Sequence, residues 1–107
     1  MSKKKEREVI DFNDLGIKGG LNSQGRLTEL LGECLEFDMS TLTEDEIKNR
    51  KVITIVVRYK DRTERRHTFS EVLIKQLKLA RELYPNAIIT GKIIKYKSYY
   101  QIIGCRE

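Results

Sequence analysis

The chain has 107 residues, a formal net charge of +5, 39% hydrophobic side chains and 35% charged side chains. This length accommodates one domain, and the composition is typical of a globular protein. No apolar run approaches the roughly 20 residues that a membrane-spanning helix needs, so no membrane partner is expected. The opening Met1-Ser2-Lys3-Lys4-Lys5 leads into charged residues and not an apolar segment. No secretory signal is therefore expected, and the predicted location is cytoplasmic.

Charge is distributed unevenly along the chain. Residues 9–49 have a net charge of −6, whereas residues 50–107 have a net charge of +9. A segregated positive region favours binding to a polyanion, because neutralised phosphates release condensed counterions. The alternative interpretation is a solvated surface with no ligand.

The two cysteines and the single histidine offer little metal chemistry. Cys34 and Cys105 are far apart in the sequence, and neither a CxxC nor an HxxxH pair is present. A zinc site needs four closely spaced ligands, so no metal and no other cofactor is expected. Because the cytosol is reducing, a disulfide is not expected either. Both cysteines are interpreted as small apolar residues in strands.

The first part of the chain is rich in turn-forming residues. Residues 1–24 combine basic side chains with several glycines and asparagines, which predicts a basic, flexible N-terminal arm. Residues 25–107 then form the folded domain. Its first element is a short helical turn from Arg26 that ends at Gly32.

The next segments predict a strand followed by a polar connection. Leu35, Phe37 and Met39 alternate with acidic residues, which is the period of a half-buried strand over residues 33–40. Residues 41–50 are polar and are predicted to be a connection. A capping-box spacing within it predicts a single helical turn.

A hairpin is predicted in the middle of the chain. The segment Lys51–Tyr59 is rich in β-branched residues and predicts a strand that is buried on much of both faces. Lys60-Asp61-Arg62 is predicted to reverse the chain. Thr63–Phe69 then returns as a polar partner strand.

A helix and two further strands complete the domain. Leu73, Leu77, Ala80 and Tyr84 form an apolar stripe, and the following Pro85 predicts the end of the helix. Strands are predicted over residues 87–96 and 99–104, with a reversal near residues 97–98. The glycine at position 91 lies inside the first of these strands, which predicts a bulge or a sharp bend.

The order of these elements predicts the fold class. Three strands, one helix and two strands is the order of the OB-fold, a five-stranded barrel that binds oligonucleotides. We therefore predict a mainly β (β+α) protein, namely a five-stranded, OB-fold-like antiparallel barrel with one helix between the third and fourth strands. The alternative is an open sheet with the helix packed on one face and completed by a second chain.

Three segments add a resemblance to a known group of proteins. Leu27–Glu33, Thr68–Leu77 and Lys95–Tyr100 resemble small OB-fold-like proteins of Gram-positive phages and integrative elements, which are similar to single-stranded DNA-binding proteins. The resemblance covers residues 27–104, and the acidic connection at 41–49 departs from it. It implies binding of single-stranded DNA in replication or recombination of a phage or mobile element.

Basic residues are interleaved with tyrosines in two regions of the predicted barrel. Strands two and three, with the loops that join strands one to two and four to five, form the ligand face of an OB-fold. Cations there would follow the phosphates, and aromatic rings would stack on bases. The candidate nucleic-acid-binding residues are Arg58, Lys60, Arg62, Arg65, His67, Lys92, Lys95, Tyr96, Lys97 and Tyr99.

Other functions are weighed against this one. The sequence has no second histidine, GxSxG motif or phosphate-binding glycine loop, so an enzyme is not expected. The expected partner is single-stranded DNA or RNA. A protein-interaction module of a phage or mobile element that docks on a host protein is the alternative, and self-association through the acidic and basic halves stays open.

Overall fold

The computed structural model describes residues 7–11 and 23–106. Most of the predicted N-terminal arm, including Lys3, Lys4 and Lys5, lies outside the described residues. The elements are a 3-10 helix (Leu27–Leu30), β1 (Cys34–Ile47), β2 (Arg50–Tyr59), β3 (Arg62–Thr68), α1 (Glu71–Leu83), β4 (Ile88–Tyr96) and β5 (Tyr99–Ile103).

The five strands form one antiparallel sheet in the order β3-β2-β1-β4-β5. The sheet curls into a half-barrel, and α1 lies between β3 and β4 in the sequence, so the predicted OB-like fold class is confirmed. The strand β1 is the central strand of the sheet, because it pairs with β2 on one side and with β4 on the other. Within the described residues β3 and β5 are the outermost strands and are not paired with each other.

The polar connection predicted at residues 41–50 is wrong, because β1 continues to Ile47. The pairing with β2 passes from Asp38↔Val56 to Thr43↔Thr54, so β1 advances five residues while β2 advances two. At this irregularity the Thr41 hydroxyl accepts a hydrogen bond from the Val56 N–H at 2.9 Å. Cross-strand pairing therefore overrides the low strand propensity of the acidic residues that follow.

Two tight turns join the first three strands. Lys48 and Asn49 both have positive φ, as do Lys60 and Asp61. Positive φ at both central residues is typical of the two-residue hairpin turns whose twist matches that of the flanking strands. The reversal predicted near residue 60 is thus a two-residue turn.

Of the bulge or sharp bend predicted at Gly91, the bulge is not found. Its pairing with Leu35 belongs to an uninterrupted register from Cys34↔Lys92 to Asp38↔Ile88. A side-chain carbon at this position would lie 2.7 Å from Cγ2 of Ile102 on the neighbouring strand. Glycine is required here because β5 packs closely against β4.

The core lies between the inner face of the sheet and α1. The stripe predicted on the helix is confirmed at Leu73 and Leu77, which are buried, whereas Tyr84 is exposed beyond the last turn. The Ser70 hydroxyl caps the N-terminus of α1. Helix, sheet and 3-10 helix contribute one cluster, formed by Leu27, Leu30, Leu35, Phe37, Met39, Leu42, Ile53, Ile55, Val57, Leu73, Ile74, Leu77 and Ile93.

Both outer strands are covered by hydrogen bonds from other segments. On β5, the Gln76 amide donates to the Ile102 carbonyl at 3.0 Å and accepts from the Ile102 N–H at 2.8 Å. On β3, the Gln24 N–H donates to the Arg65 carbonyl, and the His67 N–H donates to the Gly25 carbonyl. These contacts satisfy backbone groups that an exposed strand edge would leave open.

Cys34 and Cys105 form a disulfide, contrary to the sequence-based expectation. Their Cα atoms are 5.7 Å apart. The pairing explains this proximity, because Lys92 lies opposite Cys34 on one side and opposite Ile103 on the other. The residues just beyond β5 therefore lie close to the start of β1. Within the part of the chain that the structure describes, no helix is long and apolar enough to span a membrane.

Candidate nucleic-acid interface

The register of the strands assigns the predicted binding residues to the two faces of the sheet. Residues that lie directly opposite each other on neighbouring strands project to the same side. Arg65 and His67 lie opposite Val56 and Thr54 on the outer face. Arg62 lies opposite Tyr59, which packs against the core, and so belongs to the inner face.

The cations at the β2–β3 turn are engaged within the molecule. Arg58 forms an ion pair with Glu36 at 2.7 Å, and Arg62 pairs with Glu64. The Lys60 ammonium lies 5.3 Å from the centre of the Tyr59 ring, and its interaction with this tyrosine raises the pKa of Lys60.

His67 and Arg65 lie nearer the other end of the hairpin. His67 is half-buried, and its Nδ1 lies 2.7 Å from the Ser23 hydroxyl. Burial lowers the pKa of His67, and the nearby Arg26 lowers it further, so both effects disfavour the charged ring. Among the described residues the Arg65 guanidinium has no carboxylate partner.

The inner face of β3 carries a cluster of charged groups with a structural role. Arg66 pairs with Glu64 at 2.6 Å and with Glu29 of the 3-10 helix at 2.7 Å. The Arg66 and Glu64 side chains are almost fully buried. Hydrogen bonds from Arg66 and Arg62 lower the pKa of Glu64. This cluster joins β3 to the 3-10 helix and is not available to a ligand.

The turn between β4 and β5 presents two exposed tyrosines among lysines. Tyr96 and Tyr99 lie directly opposite each other, with ring centres 5.8 Å apart in an edge-to-face arrangement. Lys97 lies 5.4 Å from the centre of the Tyr96 ring. Lys95 projects to the inner side, 5.8 Å from the centre of the Tyr100 ring. We call Lys95, Tyr96, Lys97 and Tyr99 the hairpin-tip cluster.

A groove of about 520 Å³ lies beside this cluster. It is bounded by the start of β2, the connection from β3 to α1, the start of β5 and the segment before the 3-10 helix. We call it the mouth groove, and its charged and aromatic lining residues are Arg26, Arg50, Phe69, Glu71, Tyr99 and Tyr100.

Ring contacts connect the mouth groove to the outer face of β3. The Arg50 guanidinium lies over the Phe69 ring, 4.7 Å from its centre. Phe69 in turn meets the His67 ring edge-on at 5.7 Å. Tyr99 belongs to both the mouth groove and the hairpin-tip cluster. A continuous surface therefore extends from His67 through the groove to the turn between β4 and β5.

Several predicted residues lie away from this surface. Arg58 is four residues from Thr54, the partner of His67, which corresponds to about 13 Å along an extended strand. Lys92 is likewise four residues from Tyr96, again about 13 Å. Between Arg58 and β4, strand β1 contributes the carboxylate of Glu36 to the outer face. The β2–β3 turn and the hairpin-tip cluster are thus not joined by an uninterrupted run of cations.

Sequence reasoning missed three residues of the mouth groove. Arg26 and Arg50 were assigned to a helical turn and to a connection, and Phe69 to a strand end. They are 24 and 19 residues apart in the sequence, so no local motif relates them. The available signal was their position at element boundaries, where loops of an OB-like fold meet.

No family model matches the chain, and no curated protein or solved structure matches it either. Within the described ranges, no three histidine, cysteine or acidic side chains are grouped so as to hold a metal ion.

Proposed function

We propose that the protein binds single-stranded nucleic acid, most simply DNA, without catalysing a reaction. The observation that carries this proposal is the surface formed by the mouth groove and the hairpin-tip cluster. It combines exposed tyrosines with arginines that have no carboxylate partner among the described residues. Bases would stack on Tyr96 and Tyr99, while Lys97, Arg26 and Arg50 would contact phosphates.

The ion pairs that the cations already form decide which of them contribute to nucleic-acid binding. A glutamate paired with an arginine repels a phosphate that approaches the same guanidinium, so the paired arginine attracts the phosphate less strongly. Arg58 and Arg62 are paired in this way. Arg65 is not, and it lies two residues before His67 on the outer face of β3. Arg65 would therefore add a contact to a phosphate of the strand beyond the groove.

The proposed role follows the resemblance noted in the sequence. The protein would act in the replication or recombination of a phage or mobile element, in the cytoplasm of the host. Binding in such a role depends on backbone charge and base stacking more than on hydrogen bonds to base edges, so it tolerates many sequences.

Fluorescence polarisation with labelled oligothymidine tests the proposal. We expect saturable binding at low salt whose affinity falls steeply as salt is raised, because about 0.7 of a counterion is released for each phosphate of a single strand that the protein neutralises. Tyr96→Ala should weaken binding at least about five-fold, since one stacked base is worth about 1–3 kcal/mol. Tyr84→Ala is the matched control, because Tyr84 is exposed at the end of α1. Equal effects of the two changes would contradict the assigned surface.

A second candidate function is docking on a host protein. The observation that favours it is an apolar patch on α1, where Leu79, Leu83 and Tyr84 have more than half of their surface exposed. Exposed apolar side chains that cluster in this way are typical of protein-binding surfaces. In a pull-down from host extract, loss of a captured protein in the Tyr84→Ala variant, with oligothymidine binding absent in the wild type, would favour this function.

A further inference from the structure

We propose that the mouth groove is a site for one nucleoside phosphate, which holds the phosphate between Arg26 and Arg50 and the base against Tyr99. This inference rests on the proposed function, since it assigns one nucleotide unit to a defined part of the same surface. It goes beyond that function in predicting that a single nucleotide is recognised without the rest of a strand.

The size of the groove fits such a ligand. Its volume of about 520 Å³ lies within the roughly 300–1,000 Å³ of sites that bind small molecules. Ser98, next to Tyr99 at the β4–β5 turn, and Ser70, next to Phe69 at the start of α1, also line it. The Ser98 hydroxyl is suited to a sugar or a phosphate, because it can donate and accept a hydrogen bond. The Ser70 hydroxyl accepts from the Leu73 N–H and keeps its own O–H to donate.

The two arginines supply positive charge that the described part of the protein does not neutralise. Neither Arg26 nor Arg50 has a carboxylate partner there, in contrast to Arg58, Arg66 and Arg81. The planar guanidinium can donate two parallel hydrogen bonds to a phosphate.

Packing of Phe69 holds one of these arginines in place. The Arg50 guanidinium lies on the Phe69 ring, and that ring is itself fixed against His67. A contact with a ring face uses none of the guanidinium N–H donors, so those of Arg50 remain available to a phosphate in the groove. Arg50 is therefore positioned before a phosphate arrives, which reduces the entropy lost on binding.

Tyr99 is the ring best placed to receive a base. Neighbouring residues on a strand project to opposite faces. Tyr100 accordingly packs against the core, while Tyr99 keeps 39% of its surface exposed. Tyr96 and Tyr99 meet edge-to-face, and because one such contact covers at most one side of a ring, a face of Tyr99 stays available for stacking.

One carboxylate in the groove allows the proposed phosphate contact to be tested, because its removal should change the affinity in a known direction. Glu71, in the first turn of α1, lines the same groove as the two arginines. A bound phosphate would be repelled by this carboxylate and attracted by the guanidiniums. Removing the Glu71 charge should therefore strengthen binding, whereas a site that does not hold phosphate would be indifferent to the change.

The test is a titration of the full chain with thymidine monophosphate, followed by NMR chemical shifts. We expect saturable binding that is tighter than binding of thymidine or of inorganic phosphate alone. Arg50→Gln should weaken it about ten-fold, as expected for loss of a charge-assisted hydrogen bond. Glu71→Gln should strengthen it about three-fold. Arg58→Gln, the same change at the other end of β2, should leave it unaltered.

Oligothymidines with and without a 5′-phosphate identify the source of the nucleotide. Tighter binding of the phosphorylated strand, abolished by Arg50→Gln, would assign the groove to a strand end. Equal binding of the two strands, weakened alike by Arg50→Gln, would assign the groove to a nucleotide within the strand. Oligothymidine binding that Arg50→Gln leaves unchanged would assign it to free nucleotides. Binding of oligothymidine without any binding of thymidine monophosphate would overturn the inference and leave the proposed function intact. Absence of oligothymidine binding, with thymidine monophosphate still bound, would count against the proposed function alone.

Discussion

Individual charged residues in this protein divide into those that hold the fold together and those that a ligand could reach. Glu64 and Arg66 belong to the first group, although they lie on a strand where sequence reasoning sought cations for binding. Their side chains are buried on the inner face of β3. A charge buried in this way is tolerated only with a partner, so Arg66 is unavailable to a phosphate.

Glu64→Gln should lower the free energy of unfolding at pH 7 by about 1–3 kcal/mol, the cost of leaving a buried charged group poorly paired. The Arg66 and Arg62 hydrogen bonds lower the pKa of Glu64 in the folded protein. Its stabilising contribution is thus fully present above the ordinary glutamate pKa of about 4.3 and is lost as pH falls through the lower folded value. Urea unfolding at pH 7 and pH 3 measures this. The difference between wild type and variant should shrink at pH 3, and a constant difference would show that the charge is irrelevant.

At the level of secondary structure, hydrophobic periodicity was a reliable guide and polar composition was not. The alternation of Leu35, Phe37 and Met39 predicts the strand that the structure contains. The acidic residues that follow do not look like a strand, yet they pair with β2 up to Ile47. Their conformation depends on a partner strand, which local propensity does not describe.

The candidate site was only partly predictable for a related reason. The tyrosines of the hairpin-tip cluster are close together in the sequence, so a local pattern identified them. Arg26, Arg50 and Phe69 meet only because the sheet curls and brings three connections together. Likewise, the disulfide depends on the register of β1, β4 and β5, which the sequence does not state.

The close packing of β4 on β5 predicts that replacing Gly91 destabilises the protein. Gly91→Ala should lower the free energy of unfolding by about 1–3 kcal/mol, the usual cost of overpacking. The added carbon would lie 2.7 Å from Ile102 Cγ2 and 3.2 Å from the Ile103 carbonyl oxygen. Gly104→Ala is the matched control, since an added carbon there meets no atom within 4 Å. Urea unfolding of both variants compares them, and equal destabilisation would contradict the packing described for β5.

For the molecule as a whole, the disulfide is the covalent link between the first strand and the end of the last. Its two cysteines are 71 residues apart in the sequence. Closing a loop of that length lowers the entropy of the unfolded chain, which stabilises the folded state by about 4 kcal/mol. It also ties down β5, which is an outer strand of the half-barrel. Disulfides are rare in reducing compartments. In the cytoplasmic location that we propose, the two cysteines would therefore be reduced and this stabilisation would be lost.

Reduction should therefore destabilise the protein. With dithiothreitol present, the urea midpoint of the wild type should fall to that of the Cys34→Ser/Cys105→Ser double variant. The double variant itself should not respond to dithiothreitol. A wild-type midpoint that is unaffected by reduction would mean that the two thiols do not form this bond in solution.

The proposal that single-stranded nucleic acid lies along one surface is tested most directly by NMR mapping with oligothymidine. The largest shifts of backbone amides are expected at residues 95–100 and around Arg26, Arg50 and Phe69, with small shifts on α1 after Lys75. Shifts concentrated at Leu79, Leu83 and Tyr84, or no shifts at low salt, would contradict it.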